Sequence, residues 1–215
     1  GSAVTADGFG AITGISIENN RIQNTANGFA AVNVTGVNGG TVANNTFDKI
    51  GDQATAAFTD DGIFVDSVTG LTVSGNKFTS VSGSGIEVGS LFGASTNLNI
   101  QANTIDGANK NTPLPTDGGI TVNPAAHINM GITGNRVTNT GNGSLAVVGA
   151  VAGNPITASA NVFDDLAPVG AADFSIFNNF ATQTVFSVGN ALANGVPLGV
   201  ANLGGGGVAD ILLTA

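Results

Sequence analysis

The chain has 215 residues, 42% hydrophobic and only 9% charged, with a formal net charge of −9 from 14 acidic and 5 basic side chains. That length and apolar content support one folded domain with a core of its own, and no apolar run approaches the ~20 residues of a bilayer-spanning helix. The acidic balance argues against nucleic acid and anionic membrane as partners. The absence of cysteine excludes disulfides and thiolate metal sites.

Taken in order along the chain, one phrase recurs: apolar, polar, apolar, two small or polar residues, Asn, any residue, apolar. It runs Ile15 to Ile22 around Asn20, then around Asn45, Asn76, Asn103, Asn135, Asn161 and Asn190, with steps of 25, 31, 27, 32, 26 and 29 residues. Between these copies lies a second phrase, Gly-apolar-any-apolar, beginning at Gly28 (loosely), Gly62, Gly85, Gly119 and Gly143. Each unit therefore holds three short period-two segments divided by small-residue turns, and none has a sustained helical period. Segments this short cannot bury a core alone but can as stacked coils. The expected fold is all-β: a parallel β-helix of about seven coils with three short strands per coil, over residues 1–203. Residues 204–215 read as a Gly-rich C-terminal tail or cap. The start at Gly1-Ser2, with no Met and no signal peptide, reads as a cloning remnant on a fragment of something larger.

The coil phrases DGIFV, GSGIEV and VSGNKF resemble the right-handed parallel β-helix repeat family, the pectate-lyase-like superfamily, in its generic bacterial form. The resemblance implies a right-handed solenoid. It implies little about activity, because one fold hosts many functions.

The slot two after each motif Asn holds Ile22, Phe47, Phe78, Ile105, Val137, Phe163 and Leu192, and alternation turns it inward as an apolar stack. The seven Asn read as turn residues that tolerate left-handed backbone and bond to one another in a ladder. Coils alternate in loop length, with long loops at 51–61 and 107–118. They alternate in charge too. Arg21, Lys77 and Arg136 follow the Asn in odd coils, while Asp48, Asp106 and Asp164 lie three after it in even ones. Both slots face out, so cations and acids are expected to pair across neighbouring coils and help fix register.

Relatives of this fold include polysaccharide lyases, hydrolases and epimerases, which need a carboxylate pair or basic residues in a cleft. The best acidic candidates here are Asp60, Asp61 and Asp117, with Asp60 and Asp61 also the candidates for calcium. Repeat alignment of Asp60 with Asp117 explains both without catalysis. Lys110 is the one cation beside them, and with Arg21, Lys77 and Arg136 it completes the candidate binding residues. His127 matches no catalytic motif of the family, and the chain has neither Trp nor Tyr as a sugar platform. The chain is therefore read as a non-enzymatic, secreted structural or adhesive segment of a larger bacterial surface or matrix protein. No resident cofactor is expected. Its partners would be a cell-surface glycan or protein receptor, or further copies end to end, without membrane insertion. The alternative is a polysaccharide-acting enzyme or tailspike-like glycan binder with its site between the two long loops.

Overall fold

The computed structural model describes residues 2–9, 11–25, 28–51, 60–109, 118–123, 125–141, 143–148, 156–163, 176–178, 185–192, 203–205 and 208–210. Every element among them is a β-strand, and every strand pair is parallel, between equivalent strands of successive coils. Three sheets result, running along the solenoid. The first begins with Val4–Asp7, Ala30–Thr35, Asp61–Asp66, Ile86–Val88 and Ile120–Val122. The second begins with Thr13–Glu18, Asn38–Ala43, Thr69–Ser74, Asn99–Gln101 and Met130–Thr133. The third begins with Arg21–Gln23, Thr46–Ile50, Lys77–Val81, Thr104–Ala108 and Arg136–Thr138. The sheets hold eight, eight and seven strands, so two of them exceed the expected seven rungs by one. In the Gly-rich C-terminal segment, Leu203–Gly205 pairs with Ile176–Asn178 and Val208–Asp210 pairs with Val185–Val188.

Register follows the Asn phrase. Ile22, Phe47, Phe78, Ile105, Val137, Phe163 and Leu192 align rung by rung and are all buried. The rings of Phe47 and Phe78 stack with centroids 4.6 Å apart and planes 5° from parallel. The motif glycines belong to the same packing. A Cβ on Gly62 would lie 2.5 Å from the Phe78 ring, and one on Gly119 would lie 2.1 Å from Val137. Glycine there leaves room for the core side chain that the third strand of the same coil points inward.

The motif Asn residues form an unbroken ladder. The Oδ1 of Asn76 accepts both the backbone N–H and the side-chain amide of Asn45, each at 3.0 Å. The same double acceptance links Asn20 to Asn45, Asn76 to Asn103, Asn103 to Asn135, Asn135 to Asn161 and Asn161 to Asn190. The second amide hydrogen goes back to a carbonyl one coil earlier, as from Asn103 to Val73 at 3.0 Å. All but Asn20 are buried. One expectation needs correcting: the ladder Asn is not the left-handed residue. Positive φ falls one position earlier, at Asn19, Asn44, Gly75, Ala102, Gly134, Ala160 and Gly189. The bend there turns the chain so that the following Asn points inward along the axis, where its amide bonds to other coils.

Removing the inward ring at Phe78 leaves a cavity between coils. Phe78→Ala is expected to cost about 3–5 kcal/mol in chemical denaturation. A loss below about 1 kcal/mol would contradict the packing of that column.

Candidate functional site

The coils also differ in length at the corner between the first and second sheets. Eight positions separate Val34 from Val42 and Val65 from Val73, but twelve separate Val88 from Ile100. The four extra positions lengthen the segment 89–95, a loop on the fourth coil that folds back across the third. Asp66 ends the strand Asp61–Asp66 and is fully buried. Its Oδ2 accepts the backbone N–H of Leu91 at 2.8 Å and of Phe92 at 3.2 Å, while Oδ1 is buried with no hydrogen-bond partner. Ser95 ties the far end of the loop: its hydroxyl accepts the Val68 N–H at 3.3 Å. The Ser95 N–H in turn donates to Nδ1 of His127 at 3.0 Å. His127 is 3% exposed, and its Nε2 lies 3.0 Å from the Asn123 carbonyl. These contacts are met by the neutral ring with its proton on Nε2. Beside it, the Asn123 amide donates to Glu87 at 2.5 Å. Asp66 and His127 thus act as two nails holding one loop.

The loop presents Leu91 and Phe92 to solvent, 70% and 56% exposed. The Phe92 ring meets Phe9 of the first coil edge-on, with centroids 5.2 Å apart at 88°. Phe9 is itself 66% exposed and has a φ of 40°. Between the rings and the corners of coils two and three lies a cleft of about 350 Å³, lined by Phe9, Gly36, Val37, Asn38, Ser67, Thr69 and Phe92.

The acids singled out from the sequence sit elsewhere and are buried, Asp60 at 2% and Asp61 at 4% exposure. Both oxygens of Asp60 accept the Gly28 N–H, each at 2.8 Å. Oδ1 of Asp61 accepts the Ser84 N–H at 2.8 Å. The two neighbours therefore reach toward opposite coils, one back and one forward. Asp117, Lys110 and Asp164, and most of both long loops, lie outside the described residues. Arg21, Lys77 and Arg136 are exposed on the outward face of the third sheet, with Thr46 and Thr104 on the rungs between them. Asp48 and Asp106 fall on the alternate rungs as expected. Asp48 and Asp106 do not form the expected ion pairs: no Arg or Lys of this stripe comes within 4.0 Å of either. The register partner of Asp48 is Gln23, two positions beyond Arg21, so each opposite charge is a diagonal neighbour about 7–8 Å away. Asp106 accepts instead from the Asn139 amide at 2.6 Å. Asp66 and Phe92 were missed as site residues. The signal that could have found them is the lengthened Val88-to-Ile100 spacing, twelve positions where the two preceding coils take eight.

The chain is a parallel β-solenoid whose regular coils carry a pinned corner loop and a cleft. Residues 1–163 match the model for the right-handed β-helix region, and the chain belongs to that family. No curated protein and no solved structure matches it. The fold points to a structural or polysaccharide-related protein.

Burial holds the His127 imidazole below the ordinary value of 6.5, against the opposing pull of the Asn123 carbonyl and the Asp66 charge. Burial pushes the Asp66 carboxyl above 3.8, against its backbone N–H partners Phe92, Leu91 and Ser67 and the nearby His127. The signs are opposite. The unfolded chain protonates His127 more readily, so its contribution falls as pH drops below 6.5. The folded chain protonates Asp66 more readily, so its contribution is full below 3.8 and is lost as pH rises through the raised folded value. Melting temperatures taken from about pH 8 down to pH 4 should fall less steeply below about pH 6.5 for His127→Gln than for the native chain. Parallel curves would mean that the imidazole does not anchor the loop in its neutral form.

Proposed function

We propose that this chain is a non-enzymatic, secreted segment of a larger bacterial surface or extracellular-matrix protein, a stiff rod that carries an adhesive site. The observation that supports this most is the fate of the acidic pair. Asp60 and Asp61 are buried and spent on backbone amides of two different coils, which is a coil-locking role. The buried Asp66 and His127 serve the corner loop in the same way. An acid and base for glycoside cleavage must reach the scissile bond, and 0% and 3% exposure does not offer that reach. Stacked coils with continuous axial bonding suit a load-bearing or presenting rod. The cation stripe is read as part of the rod's surface, because the net charge of −9 opposes anionic ligands.

Two assays on the intact chain test this reading. Incubation with pectate, alginate and neutral glucans, with and without calcium, should yield no reducing ends and no unsaturated products. Coated beads should adhere to bacterial or host cells. Replacing Arg21, Lys77 and Arg136 together with Gln should leave both adhesion and the melting temperature unchanged. Turnover that Asp61→Asn abolishes would overturn the non-enzymatic reading. Adhesion lost at low salt in the triple variant would make the stripe the binding face.

A further inference from the structure

We infer that the corner cleft beside Phe9 and Phe92 is a binding site for a neutral saccharide of one or two rings. The proposal rests on the adhesive reading for its biological use, but its chemistry stands on the cleft alone.

Four observations carry it. First, the lining offers two kinds of group together. Phe9 and Phe92 give open ring surface at 66% and 56% exposure. The Asn38 amide and the Ser67 and Thr69 hydroxyls line the same space, and among the described residues none of these three side chains has a hydrogen-bond partner. A sugar ring has the matching pair of faces: C–H groups for an aromatic ring and hydroxyls for amide and hydroxyl partners. A purely apolar occupant would strand all three polar groups away from water. Second, no lining residue is ionisable and the chain is strongly acidic, so a uronate, sulfate or phosphate would find no counter-charge. Third, the volume of about 350 Å³ sits at the small end of ligand sites, enough for a mono- or disaccharide unit and too little for a folded partner's loop.

The fourth observation is cost. Phe9 holds a φ of 40°, a region bulky side chains avoid, and leaves its ring in water. Phe92 is exposed on a loop that the protein fixes at both ends, at Asp66 and at His127 through Ser95. Burying the Asp66 carboxyl and the His127 imidazole costs desolvation, which their hydrogen bonds to the loop offset only in part, since Asp66 Oδ1 is left without a partner. The molecule thus spends strain and desolvation on keeping two rings apart from the core and facing one cleft. A site held this way loses little conformational freedom when the ligand arrives.

Saturation-transfer NMR and calorimetry on the intact chain would test this with maltose, cellobiose, lactose and digalacturonate as probes. At least one neutral disaccharide should bind, with an affinity unchanged between low and high salt, and digalacturonate should not. Phe92→Ala and Asn38→Ala should each weaken that binding at least tenfold. Both positions are exposed, so a melting curve superimposable on the native one will show that the fold is kept. The Arg21, Lys77 and Arg136 triple Gln variant should bind as the native chain does. Binding by none of the three neutral sugars, equal binding by Phe92→Ala, or preferential salt-sensitive binding of digalacturonate would each overturn the proposal. Cell adhesion that persists in Phe92→Ala would overturn the cleft's adhesive use and leave the adhesive rod standing. Turnover of any probe would sink the rod reading while leaving the cleft to be judged on the variants.

Discussion

The asparagine ladder is the interaction on which the other features of this molecule depend. Each buried amide from Asn45 to Asn161 accepts two hydrogen bonds from the coil before it, donates one to the next Asn and returns one to a carbonyl of the earlier coil. One side chain thus joins three coils, and all four of its hydrogen-bonding positions are filled. Chains of amide bonds in a low-dielectric interior polarise one another, so such a column gains from being continuous. It also sets register. A coil slipped by one residue would swing its Asn outward and its Phe slot to solvent together.

That axial lock explains where variation is tolerated. The bonds between coils run through the three sheets and the ladder, so insertions at the corners disturb neither. Loops can then lengthen at 51–61, 89–95 and 107–118 while the rungs stay aligned, as they do around Phe78, Ile105 and Val137. The corner cleft is built on this tolerance. Its floor comes from the tight turns of coils two and three, and its walls from Phe9 and the pinned Phe92. Function on a rigid repeat scaffold belongs in such loops.

Much of the fold was legible because the repeat writes it out. Spacing alone aligned Asn76 with Asn103 and Phe47 with Phe78, and those residues meet. The backbone detail was not legible. Asn at a turn suggested left-handed geometry at the ladder residue itself, whereas the bend sits one residue earlier, where Ala102 and Ala160 adopt it without being turn-formers. The third-sheet charges were placed on the right rungs, but a pattern of slots says nothing of reach, and the diagonal separation leaves them apart. Asp66 was invisible for another reason. It occupies an ordinary strand-end slot, and its partners, the Leu91 and Phe92 amides, lie in a loop whose path no periodicity describes. His127 matches no motif because its role is to accept one backbone N–H from Ser95, 32 residues away.

The most direct test of the ladder is Asn103→Ala, measured against Asn20→Ala at the exposed end of the same column. Alanine at 103 would strand the Asn76 N–H, the Asn76 amide and the Val73 carbonyl inside the protein. With each buried orphan costing about 1–3 kcal/mol, the account predicts a loss of at least about 3 kcal/mol by chemical denaturation, and under about 1 kcal/mol for Asn20→Ala. Equal and small losses at the two positions would contradict it, because the ladder would then be a consequence of the fold that contributes little to holding it.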